Sequence, residues 1–328
     1  GIDFAEDNNF SLIIALDCGI KAIDKVAYAF KKEVDFIICD HHRPGDEIPK
    51  AKAVLDPKQE DCDYPFKELC GCGVGFKLIQ ALASKKGATI DDLVLYLDLV
   101  ATAIGADIVP IVGENRILAY HGLKVINENP RPGFEAILKQ VKKEKLTITD
   151  VVFIIAPRIN AAGRMKHGNH AVTLLCETDI NLAAKYAIDI DTYNTDRRDA
   201  DKRITIEALT QIEKNMEQDR FTSVAYNENW HKGVIGIVAS RLIETYYRPT
   251  LVFTKSGEML AASARSIKGF DVYNALEQCS EYIEQFGGHK YAAGLTLKPE
   301  KYQDFKAQFE KVVKETIDQQ ILIPEITI

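Results

Sequence analysis

Two apolar segments, LIIALDCG at residues 12–19 and DFIICDHH at 35–42, constrain this chain more than anything else in it. Each is a short run of core residues ending on carboxylate or imidazole side chains, with a helix-like stretch between them, and Asp17 and Asp40 stand about 23 positions apart. That spacing fits a βαβ unit, whose parallel strands need a crossover helix and deliver their C-terminal ends to one crevice. Asp17 and the cluster Asp40, His41 and His42 are therefore expected to face each other. Carboxylate and imidazole donors converging at a sheet edge suit a hard or borderline divalent ion such as Mn²⁺ or Mg²⁺, whereas a structural zinc site would favour thiolates.

The motif DHHRPG at 40–45 resembles the naming motif of the DHH phosphoesterases. Four further segments make the chain similar to the RecJ single-strand-specific exonucleases: LDLVATAIGADIVPI at 97–111, APRINAAGRM at 156–165, WHKGVIGIVASRL at 230–242, and ASARSIKGFDV with GGHKYAAG at 262–272 and 287–294. They follow the family's order over nearly the whole chain. The resemblance implies an α/β fold in which a parallel-sheet DHH domain, incomplete at its N-terminus (1–175), is joined by a long helix (176–215) to a smaller α/β DHH-associated, substrate-binding domain (216–328). It implies a 5′-to-3′ exonuclease that hydrolyses phosphodiester bonds of single-stranded DNA with Mn²⁺ or Mg²⁺ in repair and recombination. It also implies single-stranded DNA as the partner, with room for a single-strand-binding protein and a helicase, while a cytoplasmic setting is expected from the lack of a long apolar run or a leader.

The residues carried over as metal ligands are Asp17, His41 and Asp107; Asp40 either ligates or orients its neighbour, and His42 faces the scissile phosphate. The family pattern includes an Asp-x-Asp on an earlier strand. The Asp-x-Asp spacings here, 61/63, 189/191 and 199/201, lie in a later loop or helix. The expectation is a truncated fragment with an incomplete two-metal site, little nuclease activity, and no oligonucleotide-binding barrel after residue 328. Two other readings are a DHH phosphoesterase of short oligonucleotides or cyclic dinucleotides, and a fragment that only binds nucleic acid or a partner protein.

A chain of 328 residues, 46% hydrophobic, suits two cores. It holds no run of 18 apolar residues and no basic-then-apolar leader, so a soluble protein without membrane contact is expected. Seven scattered cysteines point to reduced thiols, and Cys62, Cys70 and Cys72 lack paired zinc-ligand spacing. The net charge of -7 excludes broad adhesion to polyanions, so any nucleic acid must use a local groove.

Periodicity predicts a short strand at 51–57, helices at 71–83, 91–104 and 115–124, and a connector helix at 179–214. A second α/β region follows from about 216, with strands at 222–226, 250–253 and 260–264 around a helix at 234–246. The final LIPEITI at 322–328 reads as strand-like. Asp107 sits in an apolar run, as a metal ligand or as a helix cap or partner of Arg116, while Asp98 reads as a helix-surface residue.

Arg158 and Arg164 can fork onto phosphate or stack on a base, or else tie the domains together through carboxylates. Arg265 and Ser266 follow a strand, and Gly287, Gly288 and His289 form either an anion-binding concavity or a plain turn. Together they are expected to make a phosphate pocket. Gly233 and Gly236 open a helix, where amides favour phosphate. Trp230 is a stacking surface or a core residue.

Overall fold

A computed structural model describes residues 1–324, which fall into two compact units: Gly1–Asn160 with His170–Ile190, and Ala161–Asn169 with the chain from Asp191 onward. No described helix is long and apolar enough to cross a membrane. The strand-like ending is only partly visible: Ile323 and Pro324 lie outside any helix or strand, and 325–328 are outside the described residues.

Unit 1 opens with α1 (Ile2–Asp7), β1 (Leu12–Leu16), α2 (Ile23–Lys31), β2 (Asp35–Cys39) and β3 (Ala53–Leu55). The three strands form a parallel sheet in the order β1-β2-β3, in register from Leu12 with Asp35 to Leu16 with Cys39, and from Ile37 with Ala53 to Cys39 with Leu55. The βαβ expectation thus corresponds to β1-α2-β2, whose helix turns Val26 and Ala29 inward at i, i+3 spacing. β1 is an edge strand, and its Leu12, Ile14 and Leu16 are largely exposed.

α3 (Gly71–Lys85) starts where Cys70 Sγ accepts the Gly73 amide at 3.3 Å. The segment read as one helix at 91–104 is a 3-10 turn (Asp91–Tyr96) leading into α4 (Leu97–Asp107). α5 (Gly113–Glu128) packs closely on α4, because Gly122 lets the Leu97 carbonyl approach within 2.0 Å of where a Cβ would stand. α6 (Pro132–Val141), α7 (Ile148–Asp150), a π-turn (Val151–Ile155), α8 (Ala156–Met165), α9 (Asn169–Cys176) and α10 (Ile180–Lys214) follow. α8 and α10 each run from one unit into the other, so the compact units divide at different points from a connector at 176–215.

Unit 2 continues with β4 (Ser223–Tyr226), α11 (Ile235–Tyr246), β5 (Thr250–Ser256), β6 (Met259–Arg265), α12 (Val272–Glu277), β7 (Gln285–His289), β8 (Ala292–Leu297) and α13 (Tyr302–Thr316). Its sheet runs β4-β5-β6-β8-β7, with β4 parallel to β5 and the other pairs antiparallel. One core joins Phe253, Leu295, Phe305, Phe309 and Val313; a second joins Ile204, Ile212, Trp230, Val238 and Val252.

Candidate metal centre and phosphate pocket

The parallel register of β1 and β2 sets Asp17 beside Asp40, and the ladder continues one step past the strands, with Asp17 N donating to Cys39 O at 2.9 Å. Asp17 occupies the left-handed region at φ 64°, uncommon for a residue with a Cβ. Its carboxylate rests against the start of α3, where a Cβ on Gly71 would lie 2.2 Å from Asp17 Oδ1. Asp107 is the last residue of α4, and the chain turns there through Ile108 at φ 56°.

These placements bring three elements to one point. His41 Nε2 lies 3.1 Å from Asp17 Oδ1 and 3.3 Å from Asp107 Oδ2. Asp17, His41 and His42 each present one ligand atom within 4.8 Å of the others. His41 is buried, yet neither ring nitrogen has a hydrogen bond of good geometry among the described residues. Asp17 beside Nε2 raises the imidazole above its ordinary value, against burial, and Asp107 adds to the rise. A buried imidazole with an unsatisfied nitrogen between two carboxylates is a donor set that fits a divalent cation, since buried polar atoms otherwise find partners.

Asp40 is 1% exposed and its oxygens are occupied. Oδ2 accepts from Ile20 N at 2.9 Å, and Oδ1 from His41 N at 2.8 Å, His42 N at 3.3 Å and His42 Nδ1 at 2.7 Å. Burial pulls its carboxyl up, but these donors outweigh burial and hold it below the usual range. Both Asp40 oxygens are thus already engaged by the Ile20 and His41 amides and by His42. Beside the cluster, Ile14, Leu16, Ile79, Leu82 and Leu99 wall a cavity of about 630 Å³ that also touches Asp17 and Asp107.

In unit 2, pairing puts Arg265 opposite Ala292 on β8 and Ala292 opposite His289 on β7, while Ser263, Gly294 and Gly287 form the next row on the same face. Directly opposed residues share a face and alternate along a strand. Arg265 Nη1 donates to Ser263 Oγ at 3.0 Å, and Gly236 leaves space for both, its missing Cβ lying 2.8 Å from Ser263 Oγ and 2.9 Å from Arg265 Nη2. Burial lowers the Arg265 pKa, and the nearby Arg164 adds to this. Arg164 is exposed, with Nη1 3.4 Å from Gly233 O. Arg158 lies in unit 1, where its Nη1 donates to Ile154 O at 3.0 Å.

Several expectations need correcting. Ser266 donates to Phe270 O at 3.0 Å, and the serine that accepts from Arg265 is Ser263. The Gly287–His289 segment belongs to strand β7, not a turn, and Gly288 at φ 148° faces the Ala292 carbonyl where a Cβ would be 2.4 Å away. Asp98 is buried at 1% exposure and forked by Arg131, not on a helix surface. Trp230, left open between a stacking surface and a core residue, is a core residue whose Nε1 donates to Glu207 Oε2 at 2.7 Å. Burial pushes the Cys70 thiol up to about 11 and Cys72 up to about 12, so both stay protonated.

Sequence reasoning missed Asp56. It follows β3 as Asp40 follows β2, is 2% exposed, and leaves Oδ2 without a partner. Burial, with Asp40 adding, raises its carboxyl. The signal was present, since each of the three strands is followed at once by an aspartate, in ALD, ICD and VLD.

The described geometry agrees with comparison to known proteins. The DHH family N-terminal domain model matches residues 3–104 and the DHHA1 domain model matches 220–315. The single-stranded-DNA-specific exonuclease RecJ of Bacillus subtilis is 38% identical over 97% of this chain and 40% of its own length. That of Escherichia coli K12 is 36% identical over 99% of this chain and 60% of its own length. The crystal structure of RecJ from Thermus thermophilus in complex with Mn²⁺ superposes with a TM-score of 0.86 at 28% identity, covering 97% of this chain and 47% of that one. The chain thus spans about half the length of the relatives it matches. The chain carries a DHH family N-terminal domain followed by a DHHA1 domain, and the RecJ exonucleases are its homologues over nearly all of its residues.

Proposed function

We propose that this chain is the catalytic portion of a 5′-to-3′ exonuclease of single-stranded DNA, in which Asp17, His41 and Asp107 hold Mn²⁺ or Mg²⁺. The observation that carries the reading is His41, buried between two carboxylates with its ring nitrogens unsatisfied. The relatives named as RecJ act on single-stranded DNA, and one is solved with Mn²⁺. When bound, the metal supplies an activated water near neutral pH and neutralises charge growing on the phosphate.

The chain's own residues do the rest. Asp40 takes the proton side of His42 Nδ1, which in the neutral ring leaves the lone pair on Nε2 and fixes the ring plane. Asp17 is anchored by its strained backbone, so it needs no rearrangement to receive an ion. Arg265, supported by Ser263 and separated from β7 by β8, takes the 5′-phosphate of the strand through a charge-assisted bond, with Arg164 as a second guanidinium. A single-stranded substrate implies a helicase that exposes it and a single-strand-binding protein that coats it. Seven free thiols support a reducing, cytoplasmic setting in DNA repair and recombination.

The test is shortening of a 5′-phosphorylated single-stranded 20-mer with Mn²⁺, beside the same assay on His41→Ala. Metal-dependent loss of 5′ nucleotides, abolished by the substitution and much slower than in a longer chain that also supplies the family's Asp-x-Asp, is the expected result. Hydrolysis that ignores both metal and substitution contradicts the reading, and binding of Mn²⁺ and strand without hydrolysis selects a binding-only fragment.

A further inference from the structure

Unit 2 carries a cationic cluster that neither the metal centre nor the Arg265 pocket uses. Arg197, Arg198, Lys202 and Arg241, with Asp201 and Thr205, line a cavity of about 410 Å³. Arg197, Asp201 and Thr205 follow one another at i, i+4 along α10 and share a face, with Arg198 and Lys202 one position over, and α11 contributes Arg241. The arginines crowd together: burial foremost, with repulsion from Arg164, Arg198 and Arg241 adding and Asp201 opposing, holds the Arg197 pKa below its ordinary value.

Their counter-charge is thin. Arg241 Nε is 3.8 Å from Asp201 Oδ2 and its Nη1 is 3.3 Å from both oxygens of Glu244. Arg197 donates through Nη2 to the neutral Asn194 Oδ1, at 3.0 Å. A second, independent observation points to a ligand: Asp201 is 6% exposed, and its Oδ1, the Thr205 hydroxyl and Arg197 Nε are buried without hydrogen-bond partners among the described residues. Buried polar atoms left open in this way are costly unless something completes them. An anion alone would satisfy the guanidiniums but leave Asp201 Oδ1 without a donor, so the ligand must also bring one. Small-molecule sites run to about 300 Å³ and above, so the cavity is too roomy for a lone phosphate and suits a nucleotide.

We propose that this cavity holds one nucleotide unit of the single strand, with its phosphate on Arg197, Arg198, Lys202 and Arg241 and a base or sugar donor on Asp201 Oδ1. The site rests on the nuclease reading and deepens it: it grips the strand's backbone, whereas Arg265 reads its 5′ end.

The test is fluorescence anisotropy of a 3′-labelled single-stranded 20-mer, with and without a 5′-phosphate, in EDTA at several salt concentrations. Arg198→Gln and Lys202→Gln, both exposed substitutions whose folding is checked by thermal melting, should each weaken binding about tenfold regardless of the 5′-phosphate. Each should lower the log–log salt slope by about 0.7. Arg265→Ala should instead affect mainly the 5′-phosphorylated strand. Unchanged affinity and slope in both variants overturn this site while leaving the nuclease reading intact, and a wild type that binds no strand overturns both. dAMP should displace the strand better than inorganic phosphate, and equal competition overturns the nucleotide assignment. If dAMP binding depends on Arg198 while strand affinity does not, the strand is excluded and a free mononucleotide is the ligand.

Discussion

Asp17 owes its position to two neighbours as much as to itself. A left-handed backbone at a non-glycine residue costs about 1 to 3 kcal/mol and persists only where the surroundings enforce it. Here the amide is tied to Cys39 O, and Gly71 leaves the space the carboxylate fills. Gly71→Ala should therefore push Asp17 off the cluster and weaken Mn²⁺ binding roughly 10- to 100-fold, the scale seen when supporting residues of metal sites are lost. Calorimetric titration checks this, and unchanged affinity would mean that Asp17 is not a ligand. In unit 2, Arg265→Ala should weaken a 5′-phosphorylated strand by about 1.5 to 3 kcal/mol. The strand motifs made Asp17, Asp40 and His41 legible from the sequence, because strand-end chemistry is local. Ser263 was not, since choosing it over Ser266 requires knowing that β6 runs through Arg265, so that Ser263 two positions back shares its face while Ser266 lies past the strand end.

At the scale of elements, α4 is held by a buried pair. Arg131 Nε and Nη2 reach the two Asp98 oxygens at 2.5 Å and 2.7 Å. Removing one partner of a buried pair strands the other, so Arg131→Leu should destabilise by about 3 to 5 kcal/mol in denaturant melts. A loss below about 1 kcal/mol would show the pair to be solvated. The sequence could not reveal this pair, which joins residues 33 positions apart. At α7, Thr147 and Asp150 form a capping box, and the Lys143 ammonium, then the Thr147 amide and hydroxyl, lower the Asp150 pKa from 3.8 to about 2. A lowered pKa contributes stability above 3.8 and loses it as pH falls toward about 2. Asp150→Asn should thus be destabilised at pH 7, with the gap to wild type closing across that acid range; a gap independent of pH would contradict the cap's charge. Such caps are short-range, and so are the strands and helices that periodicity located. The GGH segment misled because adjacent glycines signal a turn, whereas pairing with β8 makes them a strand.

The chain is acidic, at -7, yet sets Arg197, Arg198, Lys202 and Arg241 around one cavity of unit 2 and two carboxylates against His41 in unit 1. The sum of charges therefore says little about the local field at either place. The division into units was less legible, because α8 and α10 each belong to both. The central claim is that the strand ends of unit 1 hold a divalent metal. Crystals soaked in Mn²⁺ and measured at the manganese absorption edge test it most directly. The account predicts an anomalous peak within roughly 2.0 to 2.3 Å of Asp17, His41 and Asp107 ligand atoms. Strong peaks elsewhere with none between these three side chains would contradict it.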